Sequence, residues 1–137
     1  MGIERVLSVG VFVDALASNK RFYADGLALQ IGRSSDQVLA FCPTGTALNL
    51  LPAQGNDRDL VGRNTGITLY MRGAGDLGRV VERLRHMGTI IDDGGIRPWL
   101  SGQRCHVRDQ AGNRLTLAEM DDGTHDVTMF DGPSSVT

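Results

Sequence analysis

The amino-acid sequence predicts an α+β fold: two tandem βαβββ modules that form a cupped mixed sheet with the helices on its outside. Three observations lead there. Short segments with apolar residues at period two recur between glycine and proline turns, a helical stripe follows the first such segment in each half, and the whole order of elements occurs twice in 137 residues. A chain of that length suits one domain, or two half-domains that share a core, and buries enough surface to need no disulfide or metal staple.

The first module spans residues 1–54. In VLSVGVFV (6–13), Val9, Val11 and Val13 fall on one side of a strand and Ser8, Gly10 and Phe12 on the other. A helix follows over LASNKRFYAD (16–25), with Leu16, Phe22 and Tyr23 on helical spacing and Gly26 as its stop. Three strands come next, LALQIGR (27–33), QVLAFC (37–42) and TALNLL (46–51), the last two joined by Pro43, Thr44 and Gly45. Residues 55–65 read as a polar, solvated linker whose acidic and basic side chains are mixed.

The second module spans residues 66–120. GITLYMR (66–72) alternates again, with Thr68, Tyr70 and Arg72 opposite Ile67, Leu69 and Met71. Asp76 begins a helix whose apolar stripe is Leu77, Val80, Val81 and Leu84, stopped by Gly88. A strand at 89–92, a glycine-rich loop carrying Trp99, and the hairpin RCHVRD–NRLTLAE complete the copy. One offset places Gly45 on Gly112, Leu48 on Leu115 and Leu50 on Leu117. Residues 121–137 form a polar C-terminal tail, and the sequence leaves open whether Val127, Met129 and Phe130 pack on the body, on a partner chain, or not at all.

Composition excludes several classes of partner. A net charge of −2 with no run of Lys or Arg offers no field for a phosphate backbone, so no nucleic-acid partner is expected. No apolar run approaches the roughly 18–20 residues of a membrane span, and Met1–Arg5 lead straight into a strand pattern. A soluble, cytoplasmic protein is expected, with Cys42 and Cys105 as free thiols in a reducing compartment.

FYADGLAL (22–29) at the end of the first helix and RDQAGNRLTLAE (108–119) in the last hairpin, within tandem βαβββ units, resemble the vicinal oxygen chelate superfamily of glyoxalases, bleomycin-resistance proteins and extradiol dioxygenases. The family forms are F-Y-x-x-x-L-G and D-P-x-G-N; here Ala28 replaces the glycine and Gln110 the proline. In metal-binding members the resemblance implies four ligands, from the first and last strand of each unit. Carried onto this chain they fall on Ser8, Asn49, Thr68 and Thr116, none of them His, Glu, Asp, Gln or Cys. Glu119 has the right chemistry, but strand alternation turns it away from Thr116, toward the helix layer or its rim. No catalytic metal and no other cofactor is expected, which speaks against the family's usual glyoxalase or dioxygenase reactions.

The same alternation places Ser8, Gly10, Phe12, Leu39, Phe41, Ala47, Asn49 and Leu51 of the first module inside the cup. From the second it places Thr68, Tyr70, Arg72, Arg104, His106, Arg114 and Thr116 there. An apolar floor with scattered hydrogen-bonding groups is how ligand pockets are commonly built, and a flat aromatic compound suits Phe12, Phe41 and Tyr70. Trp99, in GGIRPWLSG, reads equally as a lid over a ligand or as an anchor for its loop. Arg72, Arg104 and His106 favour a neutral or anionic ligand.

The expected function is therefore a metal-free binding protein that sequesters, or confers resistance to, an aromatic or polycyclic compound such as an antibiotic. The resemblance also implies a homodimer with cups completed between subunits. The alternative is a glyoxalase- or dioxygenase-like lyase or isomerase, either metal-free with His106 as acid or base or metal-dependent through other ligands. His86, near a helix end, and His125, in the tail, receive no role. The glycines of RGAGDLG lack phosphate-loop spacing.

Overall fold

Alternating apolar residues become strands that pair in the same order twice. The computed structural model describes residues 2–42, 45–71, 74–100 and 102–120; Arg72 and the tail 121–137, both named above, lie outside the described residues. In chain order the elements are β1 (Ser8–Val13), α1 (Leu16–Lys20), β2 (Ile31–Ser34), β3 (Leu39–Phe41), β4 (Ala47–Pro52), β5 (Asn64–Met71), α2 (Asp76–His86), β6 (Ile91–Trp99), β7 (Gly102–Arg108) and β8 (Arg114–Met120). After α1 the chain stays helical with wider, π-type turns over Arg21–Gly26.

Two four-stranded mixed sheets result, ordered β1-β4-β3-β2 and β5-β8-β7-β6. Each module's first strand runs parallel to its last, Val11 beside Leu50 and Leu69 beside Leu117, and the remaining pairs are antiparallel. The offset that aligned Leu50 with Leu117 in sequence thus aligns equivalent positions in two copies of one topology. This is the predicted α+β architecture of paired βαβββ modules.

The valine and leucine face of each sheet packs against the helices. Val11, Val13, Leu48 and Leu50 join Leu77, Val81 and Leu84 of α2 and Cys105, Val107, Leu115 and Leu117 in one buried cluster, so the two modules share a core. The stripe on α2 recurs every three to four residues because that is the helical period. Tyr23 stacks on Phe41 with ring centroids 5.6 Å apart and meets Phe22 edge-on at 4.9 Å. Gly26 has to be small, since a Cβ there would lie 2.7 Å from the Leu84 side chain.

Polar groups clamp the modules together at the DQAGN turn. The Tyr23 hydroxyl donates to Asp109 Oδ2 at 2.6 Å, and Asp109 also accepts from the backbone and side-chain N–H groups of Asn113 at 2.8 and 3.0 Å. Asn113 in turn donates to the Phe12 carbonyl at 2.9 Å and accepts from the Gly62 and Arg63 amides. Asn19 Oδ1 accepts from the Ala111 amide at 2.9 Å. Asn19, Asp109 and Asn113 are all buried, and each finds the partners that burial demands. Burial, and then the charge and hydrogen bond of Asp109, push the Tyr23 hydroxyl far above the usual tyrosine range, so it remains a donor.

Two segments hold structure that the periodicities do not specify. The stretch between the modules carries a 3₁₀ helix over Gly55–Leu60, and its next residues are tied to Asn113. The glycine-rich loop is part of β6: Asp93, Gly94 and Gly95 take positive φ of 54°, 78° and 88°, forming a bulge between Asp92 and Arg97, after which pairing with β7 resumes as far as Trp99. A bulge absorbs extra residues without ending a strand, and glycine tolerates the left-handed conformation it requires.

Candidate functional site

The face of each sheet opposite the helices is open. In the first module β1 and β4 set Ser8 beside Ala47, Gly10 beside Asn49 and Phe12 beside Leu51. Gly10 is exposed and the others are half-buried, while Val11, Val13, Leu48 and Leu50 between them are buried. Leu39 and Phe41 were expected on this face and are not there. They lie opposite Leu50 and Leu48, on the helix side, at 3% and 0% exposure, and Ala40 takes the open side beside Asn49. The reason is hydrophobic: β3 has only three residues, and its larger apolar pair belongs with the shared core.

In the second module, Thr68 lies beside Thr116 and Tyr70 beside Ala118. Across β7, His106 lies opposite Thr116, Arg104 opposite Ala118 and Arg108 opposite Arg114. On β6, Asp92 lies opposite His106, Arg97 opposite Arg104 and Trp99 opposite Gly102. Trp99 therefore sits at the end of a strand, in register with the residues of this face. Gly102 opposite it has no room for a side chain, because a Cβ would fall 2.0 Å from the Glu119 carbonyl oxygen. Asp92 and Arg108 escaped the sequence reading. Continuing the alternation two residues past His106 finds Arg108; Asp92 needed the bulge.

His106 is the centre of this face. Its Nδ1 lies 2.8 Å from Thr116 Oγ1, and its Nε2 lies 3.8 Å from Asp93 Oδ2. The same carboxylate oxygen is 3.8 Å from Arg114 Nη1, too far from either group for a direct hydrogen bond. Arg108 is better satisfied, donating through Nε to Asp92 at 2.8 Å and through Nη1 to the Gly112 carbonyl. Burial first, then the positive charges of Arg104 and Arg114, hold His106 below the usual histidine range, with Asp93 and Asp92 opposing. Among the described residues, three buried side-chain polar atoms lack a partner: Asn49 Oδ1 on the first face, and Arg104 Nη1 and Arg114 Nε on the second.

The four positions that the resemblance assigns to a metal do not fit one. Ser8, Asn49, Thr68 and Thr116 offer neutral hydroxyl and amide groups, the Thr116 hydroxyl is engaged by His106, and a divalent ion needs charged or strongly donating ligands. Glu119 serves α2 instead. Its Oε1 accepts from the Leu77 amide at 3.0 Å, which caps a helix whose own N-cap, Gly75, has no side chain to do so, and places a negative charge at the positive helix end. Among the described residues no group of three or more His, Cys, Asp or Glu is placed to hold a metal. Cavities of about 180 and 360 Å³ lie beside α1, lined by residues such as Phe22 and Asp109 in one and Leu16 and Pro52 in the other, and not between the open faces.

Fold and faces together define a protein of two βαβββ modules, each with one sheet side packed on the helices and the other partly exposed. The chain belongs to the Glyoxalase/Bleomycin resistance protein/Dioxygenase superfamily, whose family model matches residues 5–117. Among solved structures it is similar to TnmS3, an antibiotic binding protein from Streptomyces sp. CB03234, at 23% identity and a TM-score of 0.68, with 88% of this chain and 99% of that one covered. It is also similar to the lactoylglutathione lyase of Agrobacterium tumefaciens, at 16% identity and a TM-score of 0.65 over 87% and 96% of the chains. The fosfomycin resistance protein FosX of Listeria monocytogenes is 14% identical, with a TM-score of 0.68 over 88% and 97%. At these identities the likeness is one of fold. No curated protein matches the chain. No helix among the described residues is long and apolar enough to cross a membrane.

Proposed function

We propose that this is a metal-free cytoplasmic binding protein that sequesters an aromatic or polycyclic compound, such as an antibiotic, on its open faces. The observation that carries the reading is the contrast along β1, β4, β7 and β8: alternate residues such as Val11, Leu50, Val107 and Leu115 are fully buried against the helices, while Phe12 and Asn49 on one face and Arg104, His106 and Thr116 on the other stay partly exposed, as does Tyr70 on β5. Aromatic surface with a few convergent polar groups suits a flat ligand. The likeness in fold to an antibiotic binding protein supports the choice. Ser8, Thr68 and Trp99 belong to the same faces and complete the proposed contact set.

A homodimer is part of this reading. β1 and β5 are outer strands of their sheets, and Ile3, Val6 and Leu7, just before β1, are exposed. Edge strands with apolar flanks favour pairing with another chain, and a second copy set against them would turn two open faces into a closed cup. An enzyme is the second reading, favoured by the His106–Thr116 contact: a histidine held below its usual range is neutral near pH 7 and able to take a proton.

Trp99, the sole tryptophan, reports on the site. Titration with a panel of aromatic natural products should quench it saturably, on a protein that sediments as a dimer, and His106→Ala should largely keep the binding. Turnover of a bound compound that disappears in His106→Ala would instead establish the enzyme. A monomer whose fluorescence no compound changes would refute the binding-protein reading.

A further inference from the structure

We propose that the ligand carries a carboxylate, held on the second module's open face between Arg104 and Arg114, over the His106–Thr116 pair. This rests on the small-molecule reading and adds the charge of the ligand to it. The geometry is one of unspent cationic groups. Arg108 is matched by Asp92 at 2.8 Å, but among the described residues Arg104 has no carboxylate partner, and Arg114 has only Asp93 at 3.8 Å. Arg104 Nη1 and Arg114 Nε are buried N–H groups with no acceptor. An unsatisfied buried donor is unfavourable, and more so for a charged group, so an acceptor brought by a ligand gains what the free protein lacks. Register sets the two arginines on either side of His106: Arg104 precedes it by two residues on β7, and Arg114 precedes Thr116, its partner, by two on β8.

Asp93 acts as a loose internal competitor. Its side chain is 54% exposed, it stands on the bulge of β6, and one of its oxygens is equally far from His106 and Arg114. A ligand carboxylate approaches the same cations without the bulge's constraint and reaches Arg104 as well.

The arrangement also couples binding to a proton. His106 shares its face with Arg104 and Arg108 on its own strand, Arg114 and Thr116 on β8, and Asp92 and Asp93 on β6, with Thr68 on β5 beyond Thr116. Arg104 and Arg114 oppose its protonation. A bound carboxylate screens them, so His106 should take up a proton on binding, and affinity should rise as pH falls from above 6.5, the ordinary histidine value, into the range just below it.

The test compares 2-naphthoate with its neutral isostere 2-naphthamide on the full chain, by calorimetry and by NMR of the histidine rings, with His106 assigned through His106→Gln. Naphthoate should bind about ten- to a hundredfold more tightly than naphthamide, as a hydrogen bond to a charged group implies. Arg104→Met and Arg114→Met should each erase much of that preference, weakening naphthoate far more than naphthamide, and Asp93→Asn should strengthen naphthoate binding. Should the methionine variants fail to fold, the wild-type protein still decides, because naphthoate must raise the titration midpoint of His106 and naphthamide must not. Equal binding of the two compounds, or a preference that survives both arginine variants, overturns the carboxylate site and leaves the small-molecule reading intact. Failure of both compounds at millimolar concentration, with no change at Trp99 or His106, overturns both.

Discussion

The two open faces share a topology and differ in chemistry. The first, from Ser8, Gly10 and Phe12 on β1 across to Asn49 and Leu51 on β4, is neutral along those two strands. The second carries Arg104, His106, Arg108 and Arg114 with Asp92 and Asp93. Their helix sides, by contrast, are interchangeable in character, valine and leucine on both. Repetition of a module therefore conserves the side that must pack and leaves the other free to diverge, because only the packed side is constrained by a core common to both. A ligand that spans both faces would meet an apolar, aromatic surface at one end and cations at the other.

The sharpest way to break this contrast is to exchange positions across a strand's two sides. Phe41→Ala should cost about 3–5 kcal/mol in urea denaturation, since Phe41 is fully buried against Tyr23, whereas Phe12→Ala should cost about 1 kcal/mol or less and act mainly on ligand affinity. Equal losses would mean that β3 and β1 do not divide as described. Next in size is the clamp. Asp109→Ala strands the Tyr23 hydroxyl and the Asn113 amides, and about 3 kcal/mol of stability should vanish, with both modules melting in one transition. A variant that instead melts in two steps would show that the shared core alone does not couple the modules.

Smaller is the helix cap. Glu119→Ala removes the acceptor for the Leu77 amide and should lower stability by about 1 kcal/mol without changing metal content or ligand binding; loss of a bound metal on this substitution would restore the metal reading. Smallest is a pH effect. A histidine held below its usual value is protonated more readily in the unfolded chain, so its contribution is fully present above pH 6.5 and is lost as pH falls from there through the folded value. The dependence of stability on pH just below 6.5 should flatten in His106→Gln and should be unchanged by substitutions on the first face, such as Asn49→Ala.

Much of this was legible in the residues. Period-two valines, a 3.6-residue stripe on α2 and paired turn glycines carry the fold because backbone geometry alone converts them into faces. The turning of Glu119 toward the helices followed from the same rule. What failed was local. Leu39 and Phe41 were set on the wrong side because a three-residue strand flanked by a bulge between Ile31 and Arg33 gives alternation too little length to anchor its phase. Trp99 was set in a loop because three residues of positive φ look like a strand's end when they are a bulge within it.

The order of elements, their duplication and the family followed from sequence alone, since each rests on a periodicity that short stretches of chain express without help from distant ones. Only the tertiary structure decided which side of β3 faces the core, that Asp109 and Asn113 join the modules, and that Arg104 and Arg114 flank His106. Those facts depend on register between strands far apart in the chain, and register is chosen by burying the most apolar surface of the whole molecule at once.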